Sequence, residues 1–311
     1  MYVGQFTGRI SQHNSQGDLA RVTEIGNPEE MTDLRMETKV ADGQRAARTL
    51  APMPMITIRD TAASAADAVR PGYLAEPVAV SDRPGPWPGV VVMHDAFGLG
   101  DDMKEQADWL AASGYLAVVP DLYNGRSMVR CIKSSFSQLT AQHGPVFTQI
   151  ESARRYLAER SNCTGIVGVI GYCMGGGFAL VLAGRPGWSA ASVNYGPLPA
   201  NLDEVLAGAC PLVGSYGGRD YAFKGAAAKL RRGLERAGVE HDVKEYPNAR
   251  HEFINRQLLV SPMTTLLKVA GVGYDHDSAA DAKARILTFF DQHLRASYSG
   301  SAALAPAENL G

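Results

Sequence analysis

Gly171-Tyr172-Cys173-Met174-Gly175 sets a thiol between two glycines, where an apolar run turns into an amphipathic one. The pattern is G-x-C-x-G. It matches G-x-S-x-G, the strained turn from strand to helix that exposes a nucleophile, with sulfur in place of oxygen. The residues two before and two after such a nucleophile must be small, so that strand and helix can pass closely. Gly171 and Gly175 meet that need, and Gly176 and Gly177 ease the packing further. The following helix points its positive end at the thiol, which favours thiolate and later the charge of an oxyanion. Taken alone, Cys173 also reads as a small buried hydrophobe, as many free cysteines are. Its partners decide between the two.

A nucleophile on such a turn works with an acid and a base, in the chain order nucleophile, Asp or Glu, His. "LVGSYGGRDYAF" ends a predicted strand with Asp220, and "VKEYPNARHEFIN" ends the next and places His251 in a loop. Singly, Asp220 is a common turn residue and His251 a surface histidine. Together they agree with Cys173 in order, sheet edge and loop position. His143 lies in a loop before a helix, His241 opens a strand at the wrong edge, His276 and His293 flank the last helix, and His13 is near the start. "VVVMHDAFGLG" is the loop that supplies an oxyanion-hole N–H in this arrangement. The two donors are assigned to the backbones of Ala96 and Met174, each worth about 3 kcal/mol of barrier. His94 and Asp95 add polar side chains at the same edge, which plain loop polarity also explains.

These residues need a scaffold that brings strand ends together. "YLAEPVAV" alternates as a strand, "RPGPWPG" reads as a Pro/Gly turn, and "VVVM" (90–93) is the short apolar run of a buried parallel strand. "DDMKEQADWLAASG" follows as a helix with an acidic start and a glycine stop. "YLAVVPDLY" is the next strand, a helix spans 146–160, and "GIVGVIG" is the strand that enters the turn. "SAASVNYG", "CPLVGSYGG" and "VEHDVKEYP" are three more strands, with "FKGAAAKLRRGLERAG" as the helix between the last two. "SAADAKARILTFFDQHLR" closes the domain. Alternating strands and helices predict an α/β fold, a mostly parallel sheet with helices on both faces. In such sheets ligands sit beyond the carboxyl ends of the strands.

The chain has 311 residues, 45% hydrophobic and 20% charged, with a net charge of −2. Nothing in that balance points to nucleic acid or an anionic membrane. No apolar run approaches a membrane span and no secretory h-region opens the chain. The four widely spaced cysteines show no CxxC pair, so a cytoplasmic protein with reduced thiols is expected. No cofactor and no metal are expected. Residues 1–55 are polar and without period, and read as a disordered arm or an over-extended start; packing on a partner subunit is the other reading. Residues 56–295 form the expected domain and 296–311 a frayed tail.

Set together, "PGVVVMHDAFGLGDDMKEQADWLAASGYLAVVPDLY", "GVIGYCMGGGFAL", "GSYGGRD" and "YPNARHEF" resemble the dienelactone hydrolase family of α/β-hydrolases over roughly 72–295. The resemblance implies an α/β-hydrolase fold and a Cys–His–Asp triad that opens an enol-lactone. Cys173 would be the nucleophile, His251 the base and acid, and Asp220 the residue that orients His251. The family places a glutamate after the first buried strand, where it interacts with the resting cysteine and helps deprotonate it; by resemblance that catalytic position is Asp95 here, one methylene shorter. It also holds a substrate carboxylate with arginines. The segment after "PDLY" offers Arg126 or Arg130, and four residues after the histidine stands Asn255, with Arg256 next. The loop 256–275 is a lid, a pocket wall or a subunit contact.

Sulfur narrows the chemistry. A thiolate is itself a good leaving group, so its tetrahedral adduct goes forward only when the other group leaves at least as well. An enolate qualifies, and a simple alkoxide or amine does not. The sequence therefore favours activated esters, lactones or thioesters, acted on by a monomer or homodimer. A broader carboxylesterase or thioesterase is the rival among enzymes. A non-catalytic binding protein on the same fold is the rival of another class, and a redox thiol is a third reading, without a nearby resolving cysteine.

Overall fold

Strand β3, Trp87–Met93, shows why the centre of the sheet reads as an unbroken apolar run. Its side chains alternate between two cores: Val91 and Met93 pack on one face, Val90 and Val92 on the other. Both faces are dry, so no position along the strand is polar. β4, Leu116–Pro120, repeats the pattern, with Leu116 and Val118 on the first face and Ala117 and Val119 on the second.

The computed structural model describes residues 55–59, 69–78, 85–124, 126, 128–256 and 273–295. All of these belong to the unit that begins at Leu50. The expected arm before residue 55 and the tail after 295 lie outside the described residues. Eight strands form one sheet in the order β1-β2-β4-β3-β5-β6-β7-β8. β1 (Met55–Arg59) and β2 (Val69–Ala75) pair antiparallel, β2 pairs antiparallel with β4, and all later pairings are parallel. β5 is Cys163–Tyr172, β6 Ala191–Asn194, β7 Leu212–Gly217 and β8 His241–Tyr246.

The helices sort by face. α1 (Asp101–Ala112) and α7 (His276–Phe290) cover one side. α3 (Pro145–Ala158), α4 (Met174–Ala183), α5 (Leu202–Leu206) and α6 (Ala226–Ala237) cover the other, where α2 (Met128–Ala141) contributes Leu139. Pro145 opens α3 at a position where its missing N–H costs nothing. Asp275 caps α7 by accepting the Ser278 amide at 3.0 Å. No helix among the described residues is long and apolar enough to cross a membrane.

Several sequence expectations shift. Met55, assigned to the arm, is the first residue of β1, an edge strand too short to stand out by pattern. Trp87, assigned to a Pro/Gly turn, opens β3 because its ring is buried in the core. The second strand begins earlier than "YLAEPVAV" and ends at Ala75, before Pro77. Just beyond it Glu76 pairs with Arg160. α2 and α5 were not foreseen.

After α7 a π turn, Asp291–Arg295, brings Leu294 against β5, where Gly168 leaves room for it: a Cβ on that glycine would stand 2.9 Å from Leu294 Cδ1. Leu294 is fully buried. Leu294→Ala is therefore expected to cost about 2–5 kcal/mol in urea unfolding, and a loss below about 1 kcal/mol would show that this seam does not hold the sheet.

Candidate active site

Cys173 is the residue between β5 and α4, with φ 52° and ψ −118°. Few non-glycine residues adopt such backbone angles, and the cost, about 1–3 kcal/mol, is borne by surrounding structure. That structure is visible. The Cys173 amide donates to the Asn194 carbonyl at 3.1 Å, and Asn194 Nδ2 donates to the Gly171 carbonyl at 3.1 Å. A Cβ on Gly171 would meet the Gly175 carbonyl at 2.0 Å, and one on Gly175 the Met93 carbonyl at 2.3 Å. The two glycines flanking the thiol thus let three backbone segments touch.

Asp220 lies three residues beyond β7 and His251 five beyond β8, at the same sheet edge as Cys173. His251 Nδ1 donates to Asp220 Oδ2 at 2.6 Å, which leaves Nε2 as the nitrogen able to take a proton. Asp220 is buried and its other oxygen accepts the Ala222 amide at 3.1 Å. The imidazole stands between Tyr195, edge-on at 5.2 Å, and Phe223, tilted at 5.4 Å. A side-chain exposure of 15% leaves it within reach of water.

The loop after β3 is pinned at several points. His94 Nε2 accepts the Leu122 amide at 3.3 Å, so Nδ1 carries the proton and donates to the Asp95 carbonyl at 2.7 Å. Burial holds His94 below the usual histidine range, so it is a neutral brace. Tyr123 Oη donates to the Ala96 carbonyl at 2.9 Å. Asp95 turns back on its own loop, its Oδ1 accepting the Phe97 amide at 2.7 Å. Burial raises the Asp95 carboxyl to about 6, with the Phe97 N–H opposing.

One sequence expectation is outweighed in this environment. The positive end of α4 was expected to favour thiolate, yet the resting Cys173 thiol is pushed far up. Burial is the main cause, followed by the charges of Glu252 and Asp95; the Met174 N–H opposes but is outweighed. Asn255 stands at the position where the family resemblance implies an arginine. It is buried and accepts from Gln106 Nε2 at 3.1 Å, while Tyr172 Oη donates to Gln106 Oε1 at 3.1 Å. Asn255 thus braces the turn that carries His251.

The sequence missed Glu252. It follows His251 directly, has φ 59°, and is 3% exposed. One side-chain donor atom from each of Cys173, His251 and Glu252 lies within 4.8 Å of the other two. Its adjacency to His251 was the available signal, but an acidic residue in a loop ordinarily reads as exposed. Tyr195 was also missed; it too has a positive φ, 41°, and no exposure.

Of the arginines, Arg126 lines a cavity of about 220 Å³ together with Tyr123, Cys131, Gln138, Gln149 and the buried Arg70. Arg130 is exposed on α2 and is not among the lining residues. Arg256 sits over the Tyr274 ring at 5.5 Å. The loop 257–272, which carries most of the expected lid, lies outside the described residues.

A mostly parallel sheet, a tight G-x-C-x-G turn after its central β5, and a His–Asp pair at the following strand ends define an α/β-hydrolase. The profile of the dienelactone hydrolase family matches residues 71–294, and the chain belongs to that family of hydrolases. It is 26% identical over 240 residues to a protein of Yersinia pestis named putative carboxymethylenebutenolidase, covering 72% of this chain and 84% of that one. It is 26% identical over 219 residues to the carboxymethylenebutenolidase of Pseudomonas putida, covering 67% and 87%. Among solved structures, the putative dienelactone hydrolase of Klebsiella pneumoniae superposes with a TM-score of 0.62 at 23% identity, over 77% of this chain and 98% of that one.

The site yields two expected outcomes. Gly175→Ala forces a Cβ onto the Met93 carbonyl and is expected to cost about 3 kcal/mol or more in urea unfolding; wild-type stability would refute the close contact. Asp95 has its carboxyl raised from 3.8 to about 6 by folding. The native state therefore prefers the protonated form, and this contribution to stability is present below about pH 4 and lost as pH rises through about 6. Asp95→Asn keeps the acceptor for Phe97 and should remove that loss. An unchanged stability difference between the two proteins from pH 4 to 7 would contradict it.

Proposed function

We propose that this protein hydrolyses activated esters, enol-lactones of the dienelactone kind foremost, through a Cys173–His251–Asp220 triad and a thiol acyl-enzyme. The observation that carries the reading is the 2.6 Å bond from His251 Nδ1 to Asp220, with the Cys173 thiol within 4.8 Å of a ring nitrogen of the same histidine. His251 Nε2 takes the thiol proton, and Asp220 stabilises the imidazolium. The thiolate attacks the carbonyl carbon, and the N–H groups of Ala96 and Met174 receive the oxyanion. The ring oxygen leaves as an enolate, with His251 returning a proton. Water, deprotonated by His251, then releases the acid and restores the thiol.

The protonated resting thiol suits this reading. The nucleophile forms only when proton transfer to His251 and an oxyanion follow one another in a desolvated site. The relatives named carboxymethylenebutenolidase support the enol-lactone as substrate. The cavity beside Tyr123 supports an anionic group on that substrate, because Arg70 and Arg126 both line it. All four cysteines are free, which supports a reducing, cytoplasmic setting. A broader carboxylesterase or thioesterase with the same residues is the second reading, and the leaving group separates them.

Hydrolysis of a dienelactone, an activated aryl ester and a simple alkyl ester should fall steeply in that order of leaving ability. An alkyl ester turned over as fast as the lactone would refute the enol-lactone assignment. Cys173→Ala should lower kcat/KM by about 10³-fold or more, and Asp220→Asn by up to about 10⁴-fold with the fold intact. Arg126→Ala should raise KM for a carboxylate-bearing lactone and leave a neutral ester unaffected.

A further inference from the structure

We propose that Glu252 governs the ionisation of Cys173: as a neutral carboxylic acid it donates a hydrogen bond to the thiolate, and as a carboxylate it switches the nucleophile off. The inference rests on the role of Cys173 proposed above.

The geometry comes first. Glu252 is 3% exposed and held by the turn that carries His251, where its amide carbonyl accepts the Asn255 N–H at 3.1 Å. Its φ of 59° aims an acidic side chain inward from a backbone conformation that such residues seldom adopt. Oε2 is buried without a hydrogen-bond partner. A lone ionised carboxylate left in that state is costly, whereas a neutral acid there has an O–H to offer. One donor atom each of Cys173 and His251 lies within 4.8 Å of a Glu252 carboxyl oxygen.

The charges that face Glu252 act in one direction. Asp95 approaches from the loop after β3, Asp102 from α1 and Asp220 from the loop after β7, and all three oppose its ionisation, as burial does. Cys173 faces it from the elbow and Tyr195 from the end of β6, and both feel its charge. His251, on the same turn, has Nδ1 bonded to Asp220, with Nε2 left for the thiol proton. Two carboxyls in one buried site do not readily ionise together, and Asp95 has the bond from Phe97 to stabilise its charge. Glu252 is therefore the one that keeps its proton.

The proton count then closes. The Cys173 S–H proton passes to His251 Nε2, and the S⁻ left behind accepts the Glu252 O–H. Glu252 neither gains nor loses a proton in the step. Were it ionised, its carboxylate would face the new thiolate, and charge repulsion would return the proton to sulfur.

This role has a sign opposite to that of a carboxylate base, which would take the thiol proton itself. The test follows the alkylation of Cys173 by iodoacetamide against pH, in the full chain, with the Cys173 peptide quantified by mass spectrometry. That readout does not depend on which ester is the substrate, so it stands even if hydrolysis of lactones is not found. Glu252→Gln copies the neutral acid. At pH values where the wild-type carboxyl has ionised, the variant should react roughly tenfold faster, so its pH midpoint should fall by about one unit or more, while at lower pH the two react alike. Glu252→Asp, which keeps the charge, should not move the midpoint. Slower alkylation in Glu252→Gln would show a base instead, and an unmoved midpoint would show a merely structural residue; either overturns the proposal. Wild type supplies a check independent of any variant. Its infrared difference spectrum on alkylation near neutral pH should show a protonated-carboxyl band that shifts, and absence of that band also overturns the proposal.

Discussion

The close passage of three backbone segments at the elbow is the constraint on which the site depends. β3 delivers the Met93 carbonyl, β5 delivers Gly171 and α4 begins at Met174, all within a space that admits no Cβ at Gly171 or Gly175. Close packing turns this into geometry: with no room to relax, Cys173 keeps a backbone conformation that an isolated peptide would leave. The thiol, the Met174 amide and the loop carrying Ala96 are placed together by that contact. Asn194 locks it from the side, bonding to the Gly171 carbonyl through its side chain and to the Cys173 amide through its backbone.

A second constraint is charge without solvent. Asp95, Glu252 and Asp220 converge on one partly buried thiol; the Phe97 amide answers Asp95, and the Ala222 amide and the His251 ring answer Asp220. The macrodipole of α4 acts over one turn and is worth up to about 2 kcal/mol, which burial of a thiolate among carboxyls exceeds. A resting thiol in such a site is inert until proton transfer and bond formation are joined.

The turn that carries His251 links the two constraints. Tyr172, the last residue of β5, bonds Gln106 of α1, and Gln106 bonds Asn255 at the end of the His251 turn. The strand that ends before Cys173 and the loop that carries His251 are thereby tied through a helix on one face of the sheet. Asn255 holds this scaffold. The cationic groups nearest a candidate substrate cavity are Arg70 of β2 and Arg126 after β4.

Much of this was legible in the chain. The apolar runs of β3 and β4, the apolar end of β5 and the glycine-flanked turn at Cys173 follow from local pattern, because buried parallel strands are mostly apolar on both faces and a tight strand-to-helix turn needs glycines around it. Asp95 and Ala96 were placed at the right edge for the same reason. What local pattern could not supply is proximity across the fold. Met55 and its neighbours become a strand only by pairing with β2, and Trp87 becomes a core residue only because the sheet buries its ring. Asn255 and Glu252 read as polar loop residues, and tertiary packing makes one a buried brace and the other a carboxyl beside the thiol. The state of that thiol was decided there too. Sequence describes the helix that would favour its charge, but only the folded chain sets how much water and how many other charges surround it.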